Sequence, residues 1–588
     1  MLGSRRLLPL SLAAVTIVVF ATAVLLVGHQ SGPTPWLTQT VPTPSANVAS
    51  PASMNPPTAT PNATASATAS PAATPSLLPS PSQGITPRFD VVVIGGTPSG
   101  VMAAVAAARA GASVALLEPT QHLGGVIASG LGRTDITSGY RSLVGGLTAT
   151  FFRGVDAFYK KNRTATGLPW DVEPHVAEAL FRTMTADAGV NVFFGRKLRQ
   201  QAGVVVLGGR IVDLITESGE RFTGSVYIDA SYEGDLMAQA GVTFTVGRES
   251  TAAYGEPLAG VRSVNSGSIW GISAVDPSGG LWPGVSVEPL AATGSADDQV
   301  MAYTYRVCLS SDRSNQVPFT APPGYDRSRY GLLQEWMDQY PSRMSKRLDL
   351  SSILVLAKLP NNKADVRGAI AFAMEAPDGA QGYASASYEV RKAISADVYS
   401  LDAGLFYYLS HDRAVPTAIR GQMGIWGLCK DEFTDNHNWP PLMYIREARR
   451  MVGDYVLTQS DVQTTTTKPD SIGIGSYRID SHTVQIVDVN GKAYGEGVLN
   501  APTHPYEIPY RSLIPPAGDV TNLIVTVDVS ASHVAWSSLR MEPQFMIMGE
   551  AGGTAAAMAL SSGGDAHAVD VSALQQKLKT AGSVLAIP

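Results

Sequence analysis

Cysteine is nearly missing from this chain: Cys308 and Cys429 are the two in 588 residues. Their distance apart in sequence argues against a disulfide scaffold, a CxxC redox pair or a cysteine-rich zinc site, so any redox chemistry has to come from a bound cofactor. A basic excess is missing too. The 43 Lys and Arg stand against 49 Asp and Glu, for a net charge of −6, which removes the electrostatic reason to expect nucleic acid as a partner. What the chain does have is 45% hydrophobic residues, enough at this length for two or more packed domains with a large core.

Charge is also lacking from Leu7 to Pro87, a gap shared by two kinds of segment. Leu7 to Val27 is 21 uncharged, mostly apolar residues, long enough at about 1.5 Å per residue to cross the ~30 Å hydrocarbon core as a helix. Arg5 and Arg6 stay on the cytoplasmic side. Residues 1–30 therefore read as a signal-anchor or, in the alternative, a cleaved signal peptide. The expected address is the cell membrane, with one N-terminal anchor and the folded part outside the cytoplasm, or secretion after cleavage. Ser4-Arg5-Arg6-Leu7-Leu8 partly matches a twin-arginine export signal. Residues 31–87 are rich in Pro, Ser, Thr and Ala and read as a disordered stalk, unable to bury enough surface to fold. Asn62-Ala-Thr64 and Asn162-Arg-Thr164 are glycosylation sequons in a host that uses them.

At Arg88 the composition changes. Phe89 to Ile94 (FDVVVI) is a β-branched run suited to a central parallel strand. Gly95-Gly96-Thr97-Pro98-Ser99-Gly100 is the turn after it, and Val101 to Ala110 a small-residue helix ended by Gly111. Ser113 to Leu117 is the second strand, with Glu118 at its tip placed to accept hydrogen bonds from ribose hydroxyls. Thr97 stands where the GxGxxG pattern has its second glycine, yet strand, helix and carboxylate are the context a dinucleotide site requires. The backbone N–H groups at the helix start suit a pyrophosphate. A second glycine pair, Gly124-Gly125, lets backbone approach a long ligand again, an arrangement shown by FAD proteins of the glutathione-reductase type.

Beyond this unit, the spacing predicts a helix over Asp171–Gly189, a third strand over Val190–Phe194 and an antiparallel meander from Val204 to Ile228. The meander leads to Asp229, where a strand returns to the cofactor. No second strand–GxGxxG–helix unit follows, so a separate NAD(P)H domain is not expected, and electrons come from the substrate itself or from a donor the sequence does not show. Tyr444 to Arg450 predicts a helix with a solvated face of i,i+3 and i,i+4 ion pairs. Asp435 to Trp439 has no metal-ligand spacing, and no metal is expected. Asn522 to Val529 reads as a buried strand, and Gln544 to Leu560 as a helix in which Gly549, Gly552 and Gly553 admit a neighbouring element or a flat ligand.

These residues resemble an FAD-dependent oxidoreductase family that opens with a VVVIGGTPSGVMAA-like loop and closes with SASHVAWSSLRMEPQFMIMGEAGGTAAA-like sequence. The likeness runs from Arg88 to about Leu578 and includes YIREARRMVGDYV at Tyr444–Val456 and SIGIGSYRIDSH at Ser471–His482. It implies FAD on an α/β fold: an FAD-binding Rossmann-like domain of glutathione-reductase type, with a β-meander and an inserted α+β substrate domain, after the N-terminal apolar helix and linker. The segments are 88–240 and 501–588 for the FAD-binding domain and 241–500 for the substrate-facing part. Gly95, Gly96, Gly100, Glu118, Gly124 and Gly125 take cofactor roles, with Thr97, Ser99, Asp229, Gly552 and Gly553 beside them.

The expected mechanism is hydride transfer from a substrate C–H to flavin N5 while a base takes the partner proton. His533 is the first candidate base, because imidazole titrates near neutral pH. Arg540 would hold an anionic substrate or the reduced flavin, and Glu542 would orient one of these groups. His482 with Asp480 is the second acid–base candidate. The expected partners are a small-molecule or glycan substrate, an unknown electron acceptor and the membrane. Two further readings stay open: a glycan lyase or hydrolase with a redox-neutral flavin, and a stalk-displayed binding protein.

Overall fold

The computed structural model describes residues 88–587 apart from 137, 160–169, 265–270 and 376. The apolar segment 7–27, the stalk and both sequons lie outside the described residues. Among the described residues no helix is long and apolar enough to cross a membrane.

Strand β1 (Arg88–Ile94) starts a parallel sheet in which Val91, Val92 and Val93 are fully buried, as a β-branched run covered on both faces must be. Helix α1 (Pro98–Arg109) returns along it, and β2 (Val114–Glu118) pairs parallel with β1 from Val91↔Val114 to Ile94↔Leu117. Helix α2 (Pro174–Asp187) has proline in its first turn, and β3 (Asn191–Phe194) joins β2. The meander follows as β4 (Val204–Leu207), β5 (Arg210–Ile215) and β6 (Arg221–Asp229), antiparallel as expected. Strand β6 also runs parallel beside β1, with Ile94 opposite Asp229. That register puts Gly95, Glu118 and Asp229 at one edge of the sheet, the carboxyl ends of the strands, where open α/β sheets bind ligands.

A second, antiparallel sheet follows, formed by β7 (Val307–Ser310), β8 (Gln316–Val317), β9 (Leu354–Lys358), β10 (Lys363–Gly368) and, after helix α3 (Tyr388–His411), β11 (Gly427–Cys429). Its order is β8-β11-β7-β10-β9. Because β11 lies against β7 with Leu309 opposite Leu428, the two cysteines are neighbours across the ladder, and Cys308 and Cys429 form a disulfide with Cα atoms 5.6 Å apart. Strand pairing thus cancels a separation of 121 residues. The distance in sequence that argues against a disulfide scaffold does not prevent a single bridge.

The segment Tyr444–Arg450 is extended, not helical. The Tyr444 N–H donates to the Thr304 carbonyl, and Arg450–Met451 pairs with Phe244–Thr245. Its charges are buried: Arg446 and Arg449 are nearly enclosed, Glu447 and Arg450 wholly so. Their partners come mostly from elsewhere in the chain: Arg449 reaches Asp235, Arg450 reaches Glu249 and Glu447 reaches His533. Buried charges of this kind need such partners, and the helical spacing that suggests a solvated face is coincidental.

Near the end, β12 (Ile479–Ser481) precedes β13 (Leu523–Val525), which adds to β6 in parallel. The ladder stops at Val525, short of the strand expected to Val529. A short helix that the sequence reading missed, α4 (His533–Leu539), is capped by Ser532, whose hydroxyl accepts from the Ala535 N–H. Helix α5 (Glu542–Ala559) then lies on α1. A Cβ added at Gly553 would come 2.0 Å from the Ala103 carbonyl oxygen, and one at Gly549 2.1 Å from that of Ser99. Gly552 faces the Thr526 methyl, 2.5 Å from where its Cβ would stand. Packing of α5 onto α1 and β13 therefore accounts for Gly552 and Gly553, and the cofactor contact expected of them is not needed.

Candidate active site

Gly95 takes a positive φ of 94°, and a Cβ at Gly100 would come 1.9 Å from the Gly95 carbonyl oxygen. The turn after β1 therefore tolerates only glycine at both ends. Thr97, which replaces the pattern's second glycine, is the N-cap of α1: its hydroxyl accepts from the Gly100 N–H at 3.1 Å and donates to the Ala230 carbonyl at 2.7 Å. Glu118 accepts from the N–H of Gly96 at 2.8 Å and of Thr120 at 2.7 Å, and burial raises its carboxyl above the usual range. The Gly124 N–H closes back on the Gly96 carbonyl at 2.7 Å, joining the two glycine pairs.

Beside this cradle lies a cavity of about 420 Å³, bounded by Gly95, Thr97, Glu118, Gly125 and Tyr232 on the sheet side and by Tyr388 and Arg391 on the other. Gly96, Gly100 and Gly124 support its wall. Ser99 and Asp229 do not line it. The Ser99 hydroxyl bonds Thr526 at 2.9 Å, and Asp229 ties the following turn together through Ser231 and the Met237 N–H. Nearby, both carboxylate oxygens of Asp528 are buried with no hydrogen-bond partner among the described residues, and burial, with Asp229 and Glu233 beside it, pushes this carboxyl well above its ordinary value. A glycine cradle at a helix start and a carboxylate at the second strand's tip, both beside this cavity, fit a dinucleotide.

Tyr232 connects this cavity to a second one. Its hydroxyl donates to Glu542 at 2.8 Å, and Glu542 lines a pocket of about 70 Å³ shared with Tyr444, Asp480, His482 and Arg540. Burial pushes Glu542 up to about 8, so it is protonated at neutral pH, and its second oxygen has no partner among the described residues. Arg540 donates to the Tyr444 hydroxyl at 3.0 Å and to the Asp480 carbonyl at 2.7 Å, leaving its Nε unpaired among the described residues. His482 contacts Glu375 through Nδ1 at 2.5 Å, and its Nε2 lies 3.6 Å from Asp480. Burial and the nearby Arg446 guanidinium lower the His482 pKa, so the ring is neutral with its Nδ1 proton directed to Glu375. Glu375 stays ionised despite burial because His482 and Arg446 stabilise its charge.

His533 sits apart from both cavities. Its Nδ1 meets Glu447 at 2.9 Å, its backbone N–H donates to Glu249 at 3.0 Å, and its buried Nε2 has no partner among the described residues. Three of the four expected catalytic side chains thus gather at the small pocket, and His533 is not among its lining residues.

The model of the family described as FAD dependent oxidoreductase matches residues 90–578, nearly all of the described chain. The chain belongs to the FAD dependent oxidoreductase family. It is an enzyme that uses FAD, which excludes the reading as a binding protein. No curated protein matches it. Solved structures align over small parts of this FAD dependent oxidoreductase. OxyS anhydrotetracycline hydroxylase from Streptomyces rimosus is 15% identical over 31% of this chain and 39% of its own, with a TM-score of 0.20. THI4 from Thermovibrio ammonificans is 20% identical over 28% and 66%, with 0.21. L-amino acid deaminase from Proteus vulgaris is 16% identical over 28% and 53%, also with 0.21. The chain spans less than two thirds of each, and likenesses this slight carry no argument about the site.

Sequence reading missed Tyr232 and Glu375 as parts of this oxidoreductase's site. Tyr232 was within reach, because it lies three residues past Asp229, in the turn after the strand that returns to the cradle. Glu375 has no local signal: only the fold brings it to His482.

Proposed function

We propose that this enzyme oxidises a small-molecule substrate at the pocket formed by Tyr444, Asp480, His482, Arg540 and Glu542. The observation that carries the reading is the geometry of His482, held by Glu375 through Nδ1 at 2.5 Å and lining the pocket. Bound FAD supplies a two-electron acceptor for a C–H bond, so the chain's own task is to hold the substrate and take the proton its hydroxyl releases. Glycines 95, 96 and 100 with Glu118 would hold the dinucleotide. His482 accepts the proton, and Glu375 fixes its tautomer and stabilises the imidazolium that forms. Arg540, fixed by Tyr444 and Asp480, anchors the substrate. Protonated Glu542 is a hydrogen-bond donor rather than a second base. His533, sealed against Glu447, is a positioning residue for the extended segment behind the pocket.

The pocket of about 70 Å³ favours a small molecule over a glycan chain. A redox-neutral glycan lyase is the reading to set against this one, and it predicts turnover without flavin bleaching. We also propose that the enzyme acts outside the cytoplasm, anchored or released, a reading supported by the apolar run Leu7–Val27 and by the Cys308–Cys429 disulfide. The test is His482→Gln. It should lower kcat by roughly 10²–10⁴-fold while flavin content stays at the wild-type level. Unchanged kcat would return the base assignment to His533.

A further inference from the structure

We infer that the pocket at Arg540 is built for the carboxylate of an anionic substrate, so that the oxidised compound is a small carboxylic acid rather than a neutral alcohol or sugar. This inference rests on the proposed oxidation at that pocket and names its substrate class.

The inference begins with charge. Four guanidinium groups line the pocket, from Arg306, Arg367, Arg478 and Arg540. One is already neutralised: Arg306 forms a two-pronged pair with buried Asp365 at 2.8 and 2.6 Å. Arg478 and Arg540 share a single carboxylate, Asp480, at 3.5 and 3.4 Å. Arg367 has no ion-pair partner among the described residues, and its one described hydrogen bond runs to the Gly368 carbonyl at 3.2 Å. On the acidic side, Asp135 lies at the exposed rim and Glu542 is protonated at neutral pH. His482 adds no positive charge, and a fifth guanidinium, Arg446, stands behind the wall against Glu375 at 3.5 Å. The pocket is therefore short of negative charge.

Its unpaired donors point the same way. Arg540 is 3% exposed, yet its Nε has no partner among the described residues. A buried guanidinium with a free edge is an unmet cost unless something accepts from it. A carboxylate matches a guanidinium edge in geometry as well as in charge. Met541 and Glu542 of the wall open the 18-residue helix α5, whose N-terminus adds partial positive charge. A single negative charge suits the site best, because Asp480 and Asp135 would repel a dianion such as phosphate.

The test uses the full-length holoenzyme and measures binding apart from turnover. Glycolate, lactate and acetate are titrated by calorimetry against their neutral counterparts ethylene glycol, propane-1,2-diol and acetamide, with inorganic phosphate as the dianion. We expect the carboxylates to bind, the neutral compounds to bind at least tenfold more weakly, and Arg367→Gln to weaken carboxylate binding by roughly tenfold. Arg367 is only partly buried, so this variant should fold; its thermal transition, measured alongside, verifies that. Equal binding of charged and neutral partners, or an unchanged affinity in Arg367→Gln, overturns the inference. Tighter binding of phosphate than of glycolate also overturns it. Carboxylate binding in a protein whose flavin no substrate bleaches would uphold the site's anion preference while removing the oxidation reading. Bleaching by a neutral alcohol without carboxylate binding would do the reverse.

Discussion

Glu542 makes a prediction that can be worked through in numbers. Burial lifts its pKa from the ordinary 4.5 to about 8, while Tyr232 supplies one hydrogen bond and the other oxygen has no partner among the described residues. A group whose pKa is higher in the folded state than in the unfolded chain stabilises the fold below the unfolded pKa. That contribution is lost as pH rises toward the folded value. Between pH 5 and pH 8 the loss amounts to about 3.5 kcal/mol, from the linkage relation at 1.36 kcal/mol per unit of pKa difference. Glu542→Gln keeps the shape and cannot ionise. Its stability relative to wild type should therefore improve by about that amount across the interval and level off above pH 8, and in a chain of this size that is a shift of a few degrees in Tm. Differential scanning fluorimetry of both proteins from pH 5 to 9 measures it. Parallel Tm curves would refute the burial of a neutral acid at this position.

Other expectations follow from the same geometry. Because His482 is shifted down, the acid limb of the kcat/KM profile, where the ring gains a proton and is no longer a base, should have its midpoint below pH 6.5; an acid limb with its midpoint above pH 6.5 would contradict this. Thr97→Ala removes the cap of α1 and the bond to Ala230 and should cost about 1–2 kcal/mol in denaturant unfolding, with flavin still bound. Gly553→Ala forces α5 away from the Ala103 carbonyl and should cost several kcal/mol or prevent folding, as read by soluble yield and Tm. Replacing both Cys308 and Cys429 by serine frees a loop of about 120 residues and should lower stability by up to about 4–5 kcal/mol in the chain-entropy picture, with little change in KM.

The cradle was legible in the sequence because its signals are local. A β-branched run, a glycine turn, an alanine-rich helix and a carboxylate at the next strand's tip each report the conformation of their own few residues, and β1, α1 and β2 lie where that pattern puts them. What could not be read depends on partners brought from a distance. Arg446, Glu447, Arg449 and Arg450 have the spacing of a solvated helix, and only the tertiary positions of Glu375, His533, Asp235 and Glu249 show that they are a buried strand-like segment. The disulfide depends on which strands become neighbours, and the choice between His482 and His533 on which ring reaches a cavity. The glycines of α5 have two meanings at the sequence level, close approach of a ligand or of another helix, and contact with α1 decides between them.

The most direct measurement is an anaerobic titration of the purified, flavin-loaded protein, following the visible flavin absorbance as small hydroxy acids and then neutral alcohols are added. Oxidation at the Arg540–His482 pocket predicts bleaching by a hydroxy acid at a rate that His482→Gln slows by at least a hundredfold. Turnover of a substrate with the flavin oxidised throughout, or bleaching at the same rate in the variant, would contradict it.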